Sequence, residues 1–182
     1  MGSSMQLWKK AISIFLCAAA AACARAPGAL AVRAASIDDG ILNARLDWQP
    51  DASVLAALDN GIPLDFVVHV RAEGEAYFGL RRTTATRERH LEMRYFPLSR
   101  QYQWRDLDRG ETRSYAARAL LLAALEDLRL PLEGFDAHGA RQFVLDVALD
   151  RDSLPGALRV PALLRPAWRI SSEEFTWSAP AS

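Results

Sequence analysis

Two stretches of this 182-residue chain alternate apolar and polar residues so regularly that a half-buried β-strand is the economical way to place them. In IPLDFVVHVRA, Leu64, Phe66, Val68 and Val70 fall on one side, with Asp65, His69 and Arg71 on the other. In RQFVLDVALD, Phe143, Leu145, Val147 and Leu149 align in the same way. Successive side chains of a strand point to opposite faces of a sheet, so this period of two predicts one buried face and one solvated face.

Further segments read as strands around these two. ILNARLDW (41–48) is the first, RERHLEMRYF alternates Leu91, Met93 and Tyr95 with His90, Glu92 and Arg94, and SRQYQWRDL sets Tyr102 and Trp104 on one face. AWRISSEEFTW is the last. TTATR, PLS and RDSLPG are turn-like, as is LPGAL (154–158), which implies hairpin connections and antiparallel pairing. PDASVLAALDNG (50–61) reads as a short helix, capped by Asp51, carrying a stripe of Val54, Leu55 and Leu58, and stopped by Asn60-Gly61. SYAARALLLAALEDLRL (114–130) reads as the strongest helix, with Ser114 as its cap and Pro131 just past its end. The order β-α-β-β-β-α-β-β predicts an α+β fold. It is a single domain, mainly an antiparallel sheet of about six strands with two helices packed on one face.

The N-terminal segment speaks to location. Lys9 and Lys10 precede a fourteen-residue uncharged run, Ala11–Ala24, which Arg25 closes and Pro27-Gly28 follows. A membrane-crossing helix needs roughly 20 apolar residues, whereas a basic start, a short apolar run and a small-residue exit describe an export signal. Residues 1–31 are therefore read as a signal peptide and residues 32–182 as one exported domain, with Ala29-Leu30-Ala31 as the A-x-A site and the cut after Ala31. The second reading is lipidation at Cys23, which small residues precede, and the third an uncleaved anchor. The expected location is the periplasm, or the membrane face as a lipoprotein. Membrane attachment follows only if Cys23 is lipidated or the signal is retained.

Cleavage after Ala31 removes both cysteines, Cys17 and Cys23, and with them thiol, disulfide and cysteine–metal chemistry. It also removes Lys9, Lys10 and Arg25 from the 22 basic residues, leaving 19 arginines against 22 acids. So small a net charge offers no general attraction to nucleic acid or anionic lipid.

Four segments carry a family resemblance: AALDNGIPLDF (56–66), RYFPLSRQYQW (94–104), LDRDSLPGALRV (149–160) and WRISSEEFTW (168–177). Together they resemble a family of exported bacterial proteins grouped as domain of unknown function 4390. The resemblance implies a signal peptide followed by one domain, with no activity assigned and no catalytic residues to carry over. It also implies genes set beside a membrane sensor kinase, and so a link to envelope signalling. One departure is that the tryptophan-rich segment after the GIPL strand is reduced here to AYFGLRR.

No residue pattern specifies catalysis, a cofactor or a metal. His69, His90 and His138 lack zinc spacing, and Asp146, Asp150 and Asp152 lack the EF-hand pattern. Ser99, Ser153 and Ser171 have no elbow motif around them. Residues 81–113 hold nine arginines against Glu88, Glu92, Asp106, Asp108 and Glu111, with Tyr95, Phe96, Tyr102 and Trp104 interleaved. That composition suits a single-strand nucleic-acid platform, but the period-two parity favours a solvated charged face backed by an aromatic core face, and nucleic acid is not expected as a partner. Trp48, Trp104, Trp168 and Trp177 are read as core or rim residues. The expected function is thus a non-enzymatic accessory or binding domain of the cell envelope, with an envelope protein or membrane sensor as partner. The alternatives are a periplasmic hydrolase whose site forms only in three dimensions, and a lipid-anchored structural protein.

Overall fold

The computed structural model describes residues 29–75 and 81–179. Nine strands in two antiparallel sheets, three α-helices and one 3-10 turn fall within those residues. The antiparallel α+β expectation holds, but the single sheet of about six strands with two helices becomes two sheets with three.

The smaller sheet has the order β1-β2-β7, from β1 (Leu30–Asp38), β2 (Ile41–Trp48) and β7 (Asp127–Pro131). β1 precedes the segment expected to be the first strand. Its link to β2 is the two-residue turn Asp39-Gly40, with φ of 51° and 72°. Both residues are left-handed, as the tight hairpin turn that follows strand twist requires. The larger sheet has the order β6-β5-β4-β3-β8-β9. Its strands are β3 (Leu64–Glu75), β4 (Arg81–Phe96), β5 (Gln101–Asp106), β6 (Glu111–Tyr115), β8 (Gln142–Leu149) and β9 (Phe175–Ser178).

One apolar cluster fills the space between the sheets. Leu42, Ala44, Leu46 and Trp48 of β2 and Leu128 and Leu130 of β7 enter it from one side. Leu64, Phe66, Val68 and Val70 of β3, Leu91 and Met93 of β4 and Leu145, Val147 and Leu149 of β8 enter from the other. Trp48 meets Phe66 edge-on, with ring centroids 5.3 Å apart. Each fully buried side chain of this size contributes about 1.5–3 kcal/mol, so this interlocking cluster is the main stabilising term.

Helix α1 (Ala52–Asp59) begins where Asp51 accepts from the backbone N–H of Ser53 at 2.8 Å, as expected of its cap. It ends in a pair of reversed hydrogen bonds, Ile62 N–H to Ala57 O and Gly61 N–H to Leu58 O, with Gly61 at φ 78°. This is a glycine stop in the sense expected. A Cβ at Gly61 would sit 3.2 Å from the Tyr95 carbonyl oxygen, so both conformation and space favour glycine here.

The predicted helix 114–130 divides into three pieces. Ser114 lies on β6, paired with Gln103, and caps nothing. Helix α2 runs only Arg118–Glu126 with Ala117 at its cap position, and Asp127–Pro131 is β7. Leu121, Leu125 and Leu128 keep helical spacing, which makes the stretch look continuous. The second edge of β2 decides otherwise: Leu128 pairs with Ala44 and Leu130 with Leu42, so both leucines are buried as strand residues. TTATR, expected to turn, lies inside β4, which extends back to Arg81 against β3. LPGAL opens α3 (Gly156–Leu164) rather than forming only a turn. The last strand shrinks to Phe175–Ser178, after a 3-10 turn at Pro166–Trp168 and a single bridge between Ala148 and Ser171.

A candidate anion slot between two sheet edges

A buried ion pair fixes the neighbourhood of the site. Arg89 shares the inward parity of Leu91 and Met93, so its side chain points into the core and is only 4% exposed. There it pairs with Asp106, itself 3% exposed, and donates to the Pro131 carbonyl at 2.7 Å. Asp108 lies 3.4 Å from Nε of the same guanidinium. The other oxygen of Asp106 accepts from the backbone N–H groups of Asp108 and Arg109, which shapes the β5–β6 turn. Arg89 therefore links β4 to that turn and to the end of β7 in the opposite sheet. The expectation that the arginines of 81–113 line a solvated face fails at this residue, and a charge is retained in the core because its partners meet it there.

Above this pair, the β5–β6 end of the large sheet overhangs the edge of β7. The space between them is an opening of about 270 Å³ lined by Ile41, Trp104, Asp106, Glu111, Arg113, Arg129 and Pro131. Arg113 stands directly across from Trp104, and its guanidinium lies 5.3 Å over the indole ring. Arg129 stands across from Asn43 and donates to its side-chain oxygen at 3.1 Å. The two acids of the lining are already compensated: Asp106 by Arg89, and Glu111 by Arg109 at 2.7 Å. Among the described residues, Arg113 and Arg129 form no ion pair. The indole N–H of Trp104 is buried without an acceptor. Two uncompensated cations on the rim of a small opening favour a carboxylate or phosphate group, which a guanidinium can grip with two parallel hydrogen bonds. The volume falls just below the range of drug-sized pockets, about 300–1,000 Å³, and suits one anionic group rather than a whole cofactor. A wider depression of about 540 Å³ lies on the outer side of the small sheet, among Ala34, Ala35, Ser36 and Asn43. Its charged lining is Arg45, paired with Asp127 at 3.7 Å, and Arg129, which the two openings share.

Of the residues singled out in the sequence, Trp104, Asp106, Glu111 and Arg113 line this opening, whereas the histidines, the Asp146–Asp152 cluster and the serines fall elsewhere. His69 lies on the outer face of the large sheet, with Asp146 2.9 Å from Nδ1 and Glu88 3.5 Å from Nε2. Both ring nitrogens thus face carboxylates, where a hydrolase would require a hydroxyl or thiol on one of them. His90 contacts Asp108, and His138 contacts Asp136 in an exposed loop. Asp150 accepts the backbone N–H of Asp152, an ordinary turn bond, while Ser153 donates to the Asp150 carbonyl. Ser99 donates to the Phe96 carbonyl at a turn, and Ser171 forms the bridge to Ala148. No group of three or more His, Cys, Asp or Glu side chains among the described residues is arranged to hold a metal. Trp48, Trp104 and Trp168 are buried and Trp177 is half-buried against Phe143, which matches the core-and-rim reading.

Asp65, on the outer face, has a shifted carboxyl. Its carboxyl is held above the ordinary range, first by burial and further by the charge of Asp150, while the Ser153 hydroxyl opposes the shift. Ala31 lies within β1, paired with Asp47, and the Ala29 carbonyl accepts from Gln49 N–H. Cys23 lies outside the described residues. No helix among the described residues is long and apolar enough to cross a membrane.

These elements define a one-domain, two-sheet antiparallel α+β protein with a basic slot at one end. Residues 30–178 match the family model described as domain of unknown function (DUF4390), and the chain belongs to that family. It matches no curated protein and no solved structure.

Proposed function

We propose that this protein is an exported accessory domain of the cell envelope that binds an acidic segment of a partner protein through the Arg113–Arg129 slot. The observation that carries this reading is the charge imbalance of the slot: its acids are internally paired and its two rim arginines are not. The basic start and short apolar run before Arg25 support export to the periplasm. The free edges of β6 and β7 flank the opening, and such edges receive extended segments of other chains. A membrane sensor of the envelope is the partner class to which the family resemblance points.

Titration of the purified protein with a glutamate-rich peptide, followed by tryptophan fluorescence, tests the slot. The peptide is expected to perturb the emission of Trp104, and the Arg113→Glu/Arg129→Glu pair is expected to abolish the response. The affinity should also fall with rising salt, because the contact is between charges. Equal binding by the charge-reversed protein, or binding to anionic phospholipid vesicles but not to the peptide, would overturn the reading.

A further inference from the structure

The head of β1 places a limit on where the leader is removed. Leu30 is 4% exposed, belongs to the apolar cluster and pairs with Trp48. Ala31 pairs with Asp47, and the Ala29 carbonyl receives the Gln49 N–H at 3.1 Å. The family match also begins at residue 30, so Leu30 and Ala31 belong to the domain. A cut after Ala31 would delete a core side chain and two positions of the β1–β2 ladder. It would also leave a charged α-amine on Val32, next to the bulge between Val32 and Ala34. Upstream, Ala22-Cys23-Ala24 offers small residues at both positions a signal peptidase reads, directly after the apolar run and before Arg25.

We propose that the Ala24–Arg25 bond is the processing site, so that the mature chain keeps residues 25–29 as a lead-in and Leu30 as core. This rests on the export reading above and replaces the cut after Ala31 by one that leaves the fold complete. Signal peptidase adds water across the peptide bond, leaving a carboxylate on Ala24 of the released leader and a new α-amine on Arg25. Folding follows release, with β1 entire.

The test is intact-mass and N-terminal analysis of the full chain expressed in a Gram-negative host and recovered from its envelope. The expected mature residue is Arg25. Two variants of the full chain add an independent readout, because processing precedes folding. Ala24→Glu is expected to accumulate precursor, whereas Ala31→Glu is expected to be processed like the wild type. A start at Val32, a block caused by Ala31→Glu, or an acylated Cys23 would overturn the proposal while leaving export intact. Recovery of the chain uncut from its own start would instead overturn the export reading itself, and the proposal with it.

Discussion

The large sheet carries ionisable side chains grouped on each of its faces, and the two groups behave as different objects. On the inner face Arg89 and Asp106 are almost wholly buried, and they link the sheets through Pro131. On the outer face Asp146, His69 and Glu88 line up across three neighbouring strands, with Glu88 55% exposed. The residue types are similar, but the surroundings are not. Water screens the outer row and lets each member find a substitute partner, so its loss costs little. On the inner face only Asp108, 3.4 Å from Arg89, stands near enough to substitute, so losing one member of the pair largely strands the other in the core. Burial, rather than the number of contacts, decides which row holds the fold together.

Removing one inner charge gives the largest expected effect. Asp106→Asn keeps an acceptor for the β5–β6 turn while removing the counter-charge of Arg89. The expected loss is about 3 kcal/mol, toward the lower end for a broken buried pair because Asp108 and Pro131 remain. The midpoint of urea unfolding measures it, and a loss within the range of an exposed pair would erase the distinction between the faces.

Asp65 sharpens the comparison as an intermediate case, half-buried on the outer face. Its pKa is raised in the folded state, so the unfolded chain ionises it more readily. Folded stability therefore falls as pH rises from the ordinary carboxylate value, about 3.9, through the raised folded value, and stays lowered above it. Asp65→Asn is expected to raise the melting temperature at pH 7, with the gain vanishing below about pH 3.9. Melting curves across that range check it, and a pH-independent difference would assign the effect to packing instead.

The smallest effect belongs to the outer row, where Glu88 is exposed and His69 and Asp146 are half-buried. His69→Gln or Glu88→Gln should change stability by about 0.2–1 kcal/mol. The change should shrink further near 1 M salt, where charges are screened within about 3 Å. The Asp106→Asn loss should persist in the same buffer, which makes salt the sharpest separator of the two faces.

How much of this was readable beforehand follows from the same physics. β3 and β8 were legible because period two is unambiguous when one face is buried and the other wet. The cap and stop of α1 were legible because Asp51, Asn60 and Gly61 act within one turn of the chain. β7 was not, because Leu121, Leu125 and Leu128 satisfy the helical period and only the edge of β2 settles the matter. That misreading also hid the slot, since Arg129 within a helix would not face Arg113 across an opening. β1 was hidden by the apolar run read as a signal before it, although Asp39-Gly40 is a strong local hairpin marker. Arg89 was the hardest: its parity matched the buried residues, but an arginine reads as surface unless its carboxylate and carbonyl partners are known in advance.

The junction of α2 and β7 has a mechanical consequence. Glu126 ends the helix and Asp127 begins the strand with no residue between them, while only two residues separate β6 from the start of α2. The two walls of the slot are thus the ends of one continuous piece of chain, spaced by a nine-residue rod about 13 Å long. Such an opening behaves as a fixed-jaw caliper. For the acidic occupant proposed above, the gap would be set by that rod, and widening it would require the rod to unwind.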